Sequence, residues 1–68
     1  MEPFDINISG DLYTIQPLIS ENYEVYQSDQ LLGFLTPTLQ GEETVWSSRE
    51  IEQELAARMG EQIDEVRG

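Results

Sequence analysis

Five carboxylates share one stripe of the C-terminal third of this chain: at 100° per residue of helix, Glu50, Glu54, Glu61, Asp64 and Glu65 span about 100° of arc. Carboxylates held close together can ligate a divalent cation, act as an acid–base pair, or imitate a row of phosphates. Each of those chemistries needs more than the stripe supplies. A calcium loop spaces oxygen donors at alternate positions around a glycine, and no D-x-D-x-D-G run occurs. Gln40-Gly41-Glu42-Glu43 is too short to close a metal site alone. An acid–base pair needs a cleft that so small a chain hardly encloses. A phosphate mimic needs long ordered rows, whereas the acids outside the stripe stand singly at Asp5, Asp11, Glu21, Glu24 and Asp29, with only Glu42-Glu43 adjacent.

The rest of the ionisable inventory narrows the chemistry further. Fourteen Asp and Glu stand against three Arg, with no Lys, His or Cys, for a net charge of −11 over 68 residues. Imidazole, thiolate and amine chemistry are therefore absent. No catalytic residue, metal ligand or cofactor is expected, and the chain reads as a non-enzyme. Three scattered arginines cannot neutralise enough phosphates for direct nucleic-acid binding. An anionic lipid surface would repel the chain, and nothing approaches 18 consecutive apolar residues. The N-terminus has neither a basic start nor an apolar run, so no signal peptide and a cytoplasmic location are expected.

Within the stripe, Glu50/Glu54 and Glu61/Glu65 are like-charged pairs at i, i+4, and only Arg58 is spaced to offset Glu54 and Glu61. Glu61, Asp64 and Glu65 also run against the helix dipole. Two readings stay open: a solubilising surface, or a docking face for a basic partner.

The elements that carry these residues can be read from periodicity. One domain is all the length allows, and it spans residues 1–68. A hydrophobic content of 38% with such charge borders on disorder, but the apolar residues are periodic, which decides for a fold. Phe4-Asp5-Ile6-Asn7-Ile8 alternates strictly, Ser9-Gly10-Asp11 turns, and residues 12–17 follow as a second strand ending at Pro17. Tyr23-Glu24-Val25-Tyr26-Gln27 alternates again, and residues 31–36 form a run apolar on both faces. Gly33 inside that run predicts a bulge or a close backbone approach. Residues 37–43 read as a polar loop and 44–46 as a short fifth strand, completing an antiparallel meander.

The period changes at Ser47, which with Glu50 matches a capping box. Ile51, Leu55, Met59, Ile63 and Val66 then define an apolar face, giving an amphipathic helix over about residues 48–64. Gly60 is expected on its outer side, at a cost of about 1 kcal/mol relative to Ala, unless it ends the helix early. Trp46 is expected in the core or stapled against Ile51. The fold class is α+β: a four- to five-stranded antiparallel meander with one C-terminal helix packed on one face.

If Tyr23, Val25 and the helix share one face, Tyr26 lies on the other. Either Leu32 and Phe34, or Leu31 and Leu35, join it there. Such a patch, centred on Tyr26 and Phe34, is a candidate contact surface, and homodimerisation is the simplest way to cover it. Phe4-Asp5-Ile6, Tyr13, Pro17, Gly33, Pro37 and Trp46 together resemble short bacterial proteins of no known activity, in which a meander of strands precedes one helix. That resemblance implies the fold and carries no function. The expected function is a small acidic non-catalytic protein-interaction module that forms a homodimer or binds a protein partner; the alternative is an acidic inhibitor or nucleic-acid mimic that occupies a basic groove on a partner protein.

Overall fold

The computed structural model describes residues 2–67. Five strands, β1 (Phe4–Ile8), β2 (Asp11–Pro17), β3 (Tyr23–Gln27), β4 (Gln30–Gln40) and β5 (Glu43–Ser47), precede a single helix, α1 (Gln53–Arg67). The strands lie in sequence order, each antiparallel to the next. The sheet curls into a half-barrel whose open side receives α1, so the helix packs on β5, β1 and β4. This is the α+β meander with one C-terminal helix that the periodicity predicts. Among the described residues no helix is long and apolar enough to cross a membrane.

Tight hairpins set the register. Ser9 and Gly10 both take positive φ, as do Ser28 and Asp29, the combination a two-residue type I′ turn requires. The inner face collects Ile6, Ile8, Tyr13, Ile15, Tyr23, Val25, Leu35 and Trp46, and α1 closes it with Ala56, Met59 and Ile63.

Three elements differ from their sequence expectations. Residues 37–40 are not loop but the continuation of β4, paired from Thr36↔Ser47 to Gln40↔Glu43. Pro37 is tolerated because amides alternate edges along a strand. The Phe34 amide points away from β3, toward Glu50, so the Pro37 nitrogen faces the β3 side, beyond the last β3 pair, Tyr23↔Leu35.

The helix begins at Gln53 instead of about residue 48 and runs through Arg67, past Gly60. Ser47 cannot cap it, because Ser47 is still paired with Thr36 in β5. Ser48 takes the capping role for a separate turn, its Oγ accepting from the amides of Glu50 (3.2 Å) and Ile51 (3.0 Å). The start of α1 is tied to the sheet by Gln53 Nε2, which donates to the Trp46 carbonyl at 2.8 Å.

Gly60 is not on the outer side. It is buried against the Trp46 indole, and a Cβ there would lie 2.6 Å from Trp46 Cδ2 and nearer still to Cγ and Cδ1. The buried face of α1 (Ala56, Met59, Gly60, Ile63) is therefore turned about 70° from the one defined by its large apolar residues. Val66 is left 56% exposed as a result.

Candidate functional site

Folding divides the stripe of carboxylates. Glu50 lies outside α1, and its Oε1 accepts from the Phe34 amide (3.2 Å) and the Ser48 hydroxyl (3.4 Å). Beyond the reach of β5, β4 has a free edge here, and Glu50 caps it. A Cβ on Gly33 would fall 2.6 Å from Glu50 Cβ, so glycine is what lets that carboxylate lie close over the strand. Asp64 Oδ2 accepts from the Trp46 indole Nε1 at 3.3 Å, on the side chain that also meets the Tyr23 ring at 5.4 Å. Glu54 pairs with Arg58 at 3.3 Å, an exposed i, i+4 bridge. Arg58 also reaches Ser9 in the first hairpin (3.4 Å). Glu61 and Glu65 are left exposed on the helix. The stripe is thus split between internal bonds and open solvent.

Among the described residues no group of three or more acids is arranged to hold a metal ion. The depressions in the surface are open. One, about 340 Å³, runs between the first hairpin and the start of α1, bordered by Asp11, Tyr13, Glu52, Glu54 and Arg58. No side-chain N or O among the described residues is buried without a partner.

The outer face of the sheet has a different character. Register places Thr14 opposite Tyr26, and Tyr26 opposite Leu31. It also places Gln16 opposite Glu24, and Glu24 opposite Phe34. Between these rows the pairing shifts: Val25 faces Gly33 while Tyr26 faces Leu31, so Leu32 is the extra residue of a β-bulge. The bulge changes the parity of β4. Leu32 turns inward and packs against the core, Leu35 is fully buried, and Leu31 and Phe34 face out together. Neither pairing offered by simple alternation, Leu32 with Phe34 or Leu31 with Leu35, survives this switch. Phe34 (39%), Leu31 (43%) and Leu12 (57%) are exposed apolar residues of the face with Tyr26 half-buried beside them, and Val45 (38%) lies farther along the same face in β5, opposite Thr38.

The charged groups that the strands place around them are acidic. Asp5 Oδ1 accepts from the Thr14 hydroxyl at 2.7 Å. Glu24 lies two residues from Tyr26 on the same face of β3. The Tyr26 phenol is pushed above its usual pKa, first by desolvation and then by the charge of the neighbouring Glu24. No Lys or Arg precedes Arg49, so none of the five strands carries a cation. Arg49 itself borders Phe34 from the β5 side, in a shallow hollow with Ser48 and Glu50.

Tyr26 and Phe34, the aromatic candidates, are therefore brought onto one uncovered face. Glu54, Glu61 and Glu65 lie on the helix away from them, and Glu50 touches that face only through the Phe34 backbone. Glu24 is a member that the sequence does not mark, and Leu31, one half of the second alternative, joins Phe34, one half of the first; the glycine at position 33 is the sequence signal of the bulge that mixes the two. Comparison of the chain with protein-family models, with curated proteins and with solved structures finds no match, so the functional reading rests on this geometry.

Proposed function

We propose that this chain is a small, acidic, non-catalytic protein-interaction module whose contact surface is the uncovered sheet face around Tyr26, Leu31 and Phe34. The observation that carries the reading is the clustering of exposed apolar side chains on the one sheet face that α1 does not cover. Apolar residues grouped there, with carboxylates around them, have the make-up of an interface with a polar rim. Either a second copy of the chain or a different protein fits this description. A cytoplasmic setting goes with the reading, since an anionic bilayer repels a chain of charge −11.

The alternative is an acidic inhibitor whose helix carboxylates fill a basic groove. It has less to work with, because Glu50 is off the helix, Asp64 bonds to Trp46 and Glu54 pairs with Arg58. Sedimentation equilibrium and affinity capture, run on the native chain and on Leu31→Asp, test the choice. Loss of association in Leu31→Asp, with unchanged circular dichroism, supports the sheet face. Association that survives Leu31→Asp and Phe34→Ser but fails in Glu61→Gln/Glu65→Gln transfers the function to the helix.

A further inference from the structure

We propose that the uncovered face recognises an arginine side chain of a partner protein, with the Glu24 carboxylate receiving the guanidinium between the rings of Tyr26 and Phe34. The inference rests on the sheet-face reading and names the partner's chemistry.

Two observations converge on Glu24. It stands directly opposite Phe34 in the ladder, where facing Cβ atoms lie about 4.5–5.5 Å apart. It is two residues from Tyr26 on the same strand face, about 7 Å along the strand. A carboxylate is thus flanked by an aromatic ring on each of two sides. An ionised carboxylate only accepts hydrogen bonds and has about four lone-pair directions to offer an incoming donor.

Charge selects a cation as the occupant. No strand carries Lys or Arg, and the one ion pair among the described residues, Arg58–Glu54, is on the helix. Asp5 and Asp29 add to the negative potential around the apolar cluster, and Arg49 borders it only at Phe34 on the β5 side. A second copy of this chain would bring another −11 against the same face, so a cationic partner is favoured over self-association.

Geometry selects arginine over lysine. A guanidinium is planar, stacks on aromatic rings and offers two parallel donors to a carboxylate at the same time. An ammonium is a compact, strongly hydrated charge that cannot do both. The exposed side chain of Leu31, next to Tyr26 across the ladder, provides an apolar rest for residues beside the arginine.

The test is a titration of the full ¹⁵N-labelled chain, followed by amide shifts, with three peptides of equal length. Each alternates valine with one other residue: arginine, lysine, or citrulline, the neutral isostere of arginine. The arginine peptide should bind about tenfold tighter than the lysine peptide, and the citrulline peptide more weakly than both. Shifts should centre on Glu24, Tyr26, Leu31 and Phe34. Glu24→Gln, a near-isosteric change at a half-exposed site, should erase the preference for arginine over lysine.

Equal affinity for arginine and lysine, with shifts spread over Glu61 and Glu65, would overturn the inference and mark the binding as unspecific electrostatics. Equal binding of the citrulline peptide at Leu31 and Phe34 would overturn it too, yet leave the sheet-face module standing. Self-association through this face that no peptide displaces would name a second copy as the occupant. Binding of none of the peptides would also overturn it, and the Leu31→Asp sedimentation experiment would then decide whether the face has any partner.

Discussion

Replacing Gly60 with alanine separates two accounts of the helix by the sign of the stability change. On an exposed helical position the substitution should stabilise by about 1 kcal/mol, because glycine is the poorer helix former. Here the new methyl would sit 2.6 Å from Trp46 Cδ2 and closer to two other indole atoms, where carbons normally rest about 3.5–4.0 Å apart. Trp46 has little room to yield. Its Nε1 is bonded to Asp64 and its ring is set against Tyr23. If the helix lifts instead, it loosens Ala56, Met59 and Ile63, all fully buried. Overpacking of this kind costs about 3 kcal/mol at the upper end of its usual range. Subtracting the propensity gain leaves a net loss of about 2 kcal/mol.

A domain of this length loses about 4–8 °C of Tm per kcal/mol, so Gly60→Ala should melt roughly 8–16 °C lower. Urea unfolding read by the fluorescence of the single tryptophan measures the same loss directly. Trp46→Leu supplies the control, since a leucine side chain can turn away from the new methyl. In that background, followed by circular dichroism, Gly60→Ala should become neutral or stabilising, giving a coupling energy of about 2–3 kcal/mol. A Gly60→Ala protein as stable as the parent, or one whose loss persists unchanged without the indole, would refute the packing argument.

Other consequences are smaller. Asp29 holds φ at 66° in the second hairpin, so Asp29→Gly should raise stability by about 0.5 kcal/mol in urea melts, relief of the left-handed conformation exceeding the added chain entropy. Glu50→Ala removes the acceptor of the Phe34 amide and should cost about 1 kcal/mol. Hydrogen exchange at Phe34 should quicken, and Glu50→Gln should lose less. The raised pKa of Tyr26 means the folded state holds its phenol proton more tightly than the unfolded one. That stability is fully present below the unfolded value, about 10, and is lost as pH rises through the folded one. Ring ¹³C titration should show Glu24→Gln lowering the Tyr26 pKa, and Tyr26→Phe should remove this part of the alkaline destabilisation.

The strands were legible wherever one face met solvent and the other met the core. Phe4–Ile8 and Tyr23–Gln27 fall at their expected bounds because strict alternation marks both the face and the ends. The far half of β4 was hidden because Pro37, Thr38 and Gln40 have the composition of a loop. What makes them strand is a partner, β5, and a tight turn at Gly41. The helix start was misread because Ser47 and Glu50 satisfy a local pattern that cannot register the competing claim of β5 on Ser47. The helix face was misread for a different reason. Ala56 and Gly60 carry almost no hydrophobic weight, yet they sit at the closest approach to the sheet, where a large side chain would not fit over Trp46.

The acids show where sequence reasoning about charge ends. Glu50, Asp64 and Glu54 look alike in sequence, but one finds a strand-edge amide, one an indole N–H and one an arginine. The i, i+4 spacing points to Arg58 as a partner of Glu54, but the partners of Glu50 and Asp64 exist only once the chain is folded, so no spacing rule could have sorted those two. Sorting them changes where the unneutralised charge lies. The helix, with Arg58 and Arg67, offsets part of its own acidity, whereas the strands have no cation at all. The face with the least internal compensation is therefore the sheet, and it is also the face with exposed Leu31 and Phe34. Leaving acids near one another without cations disfavours the compact state through self-repulsion. A bound cationic surface would relieve that repulsion and cover the apolar side chains in the same step. The partner proposed for the outer face would thus answer both of the features that folding alone does not explain.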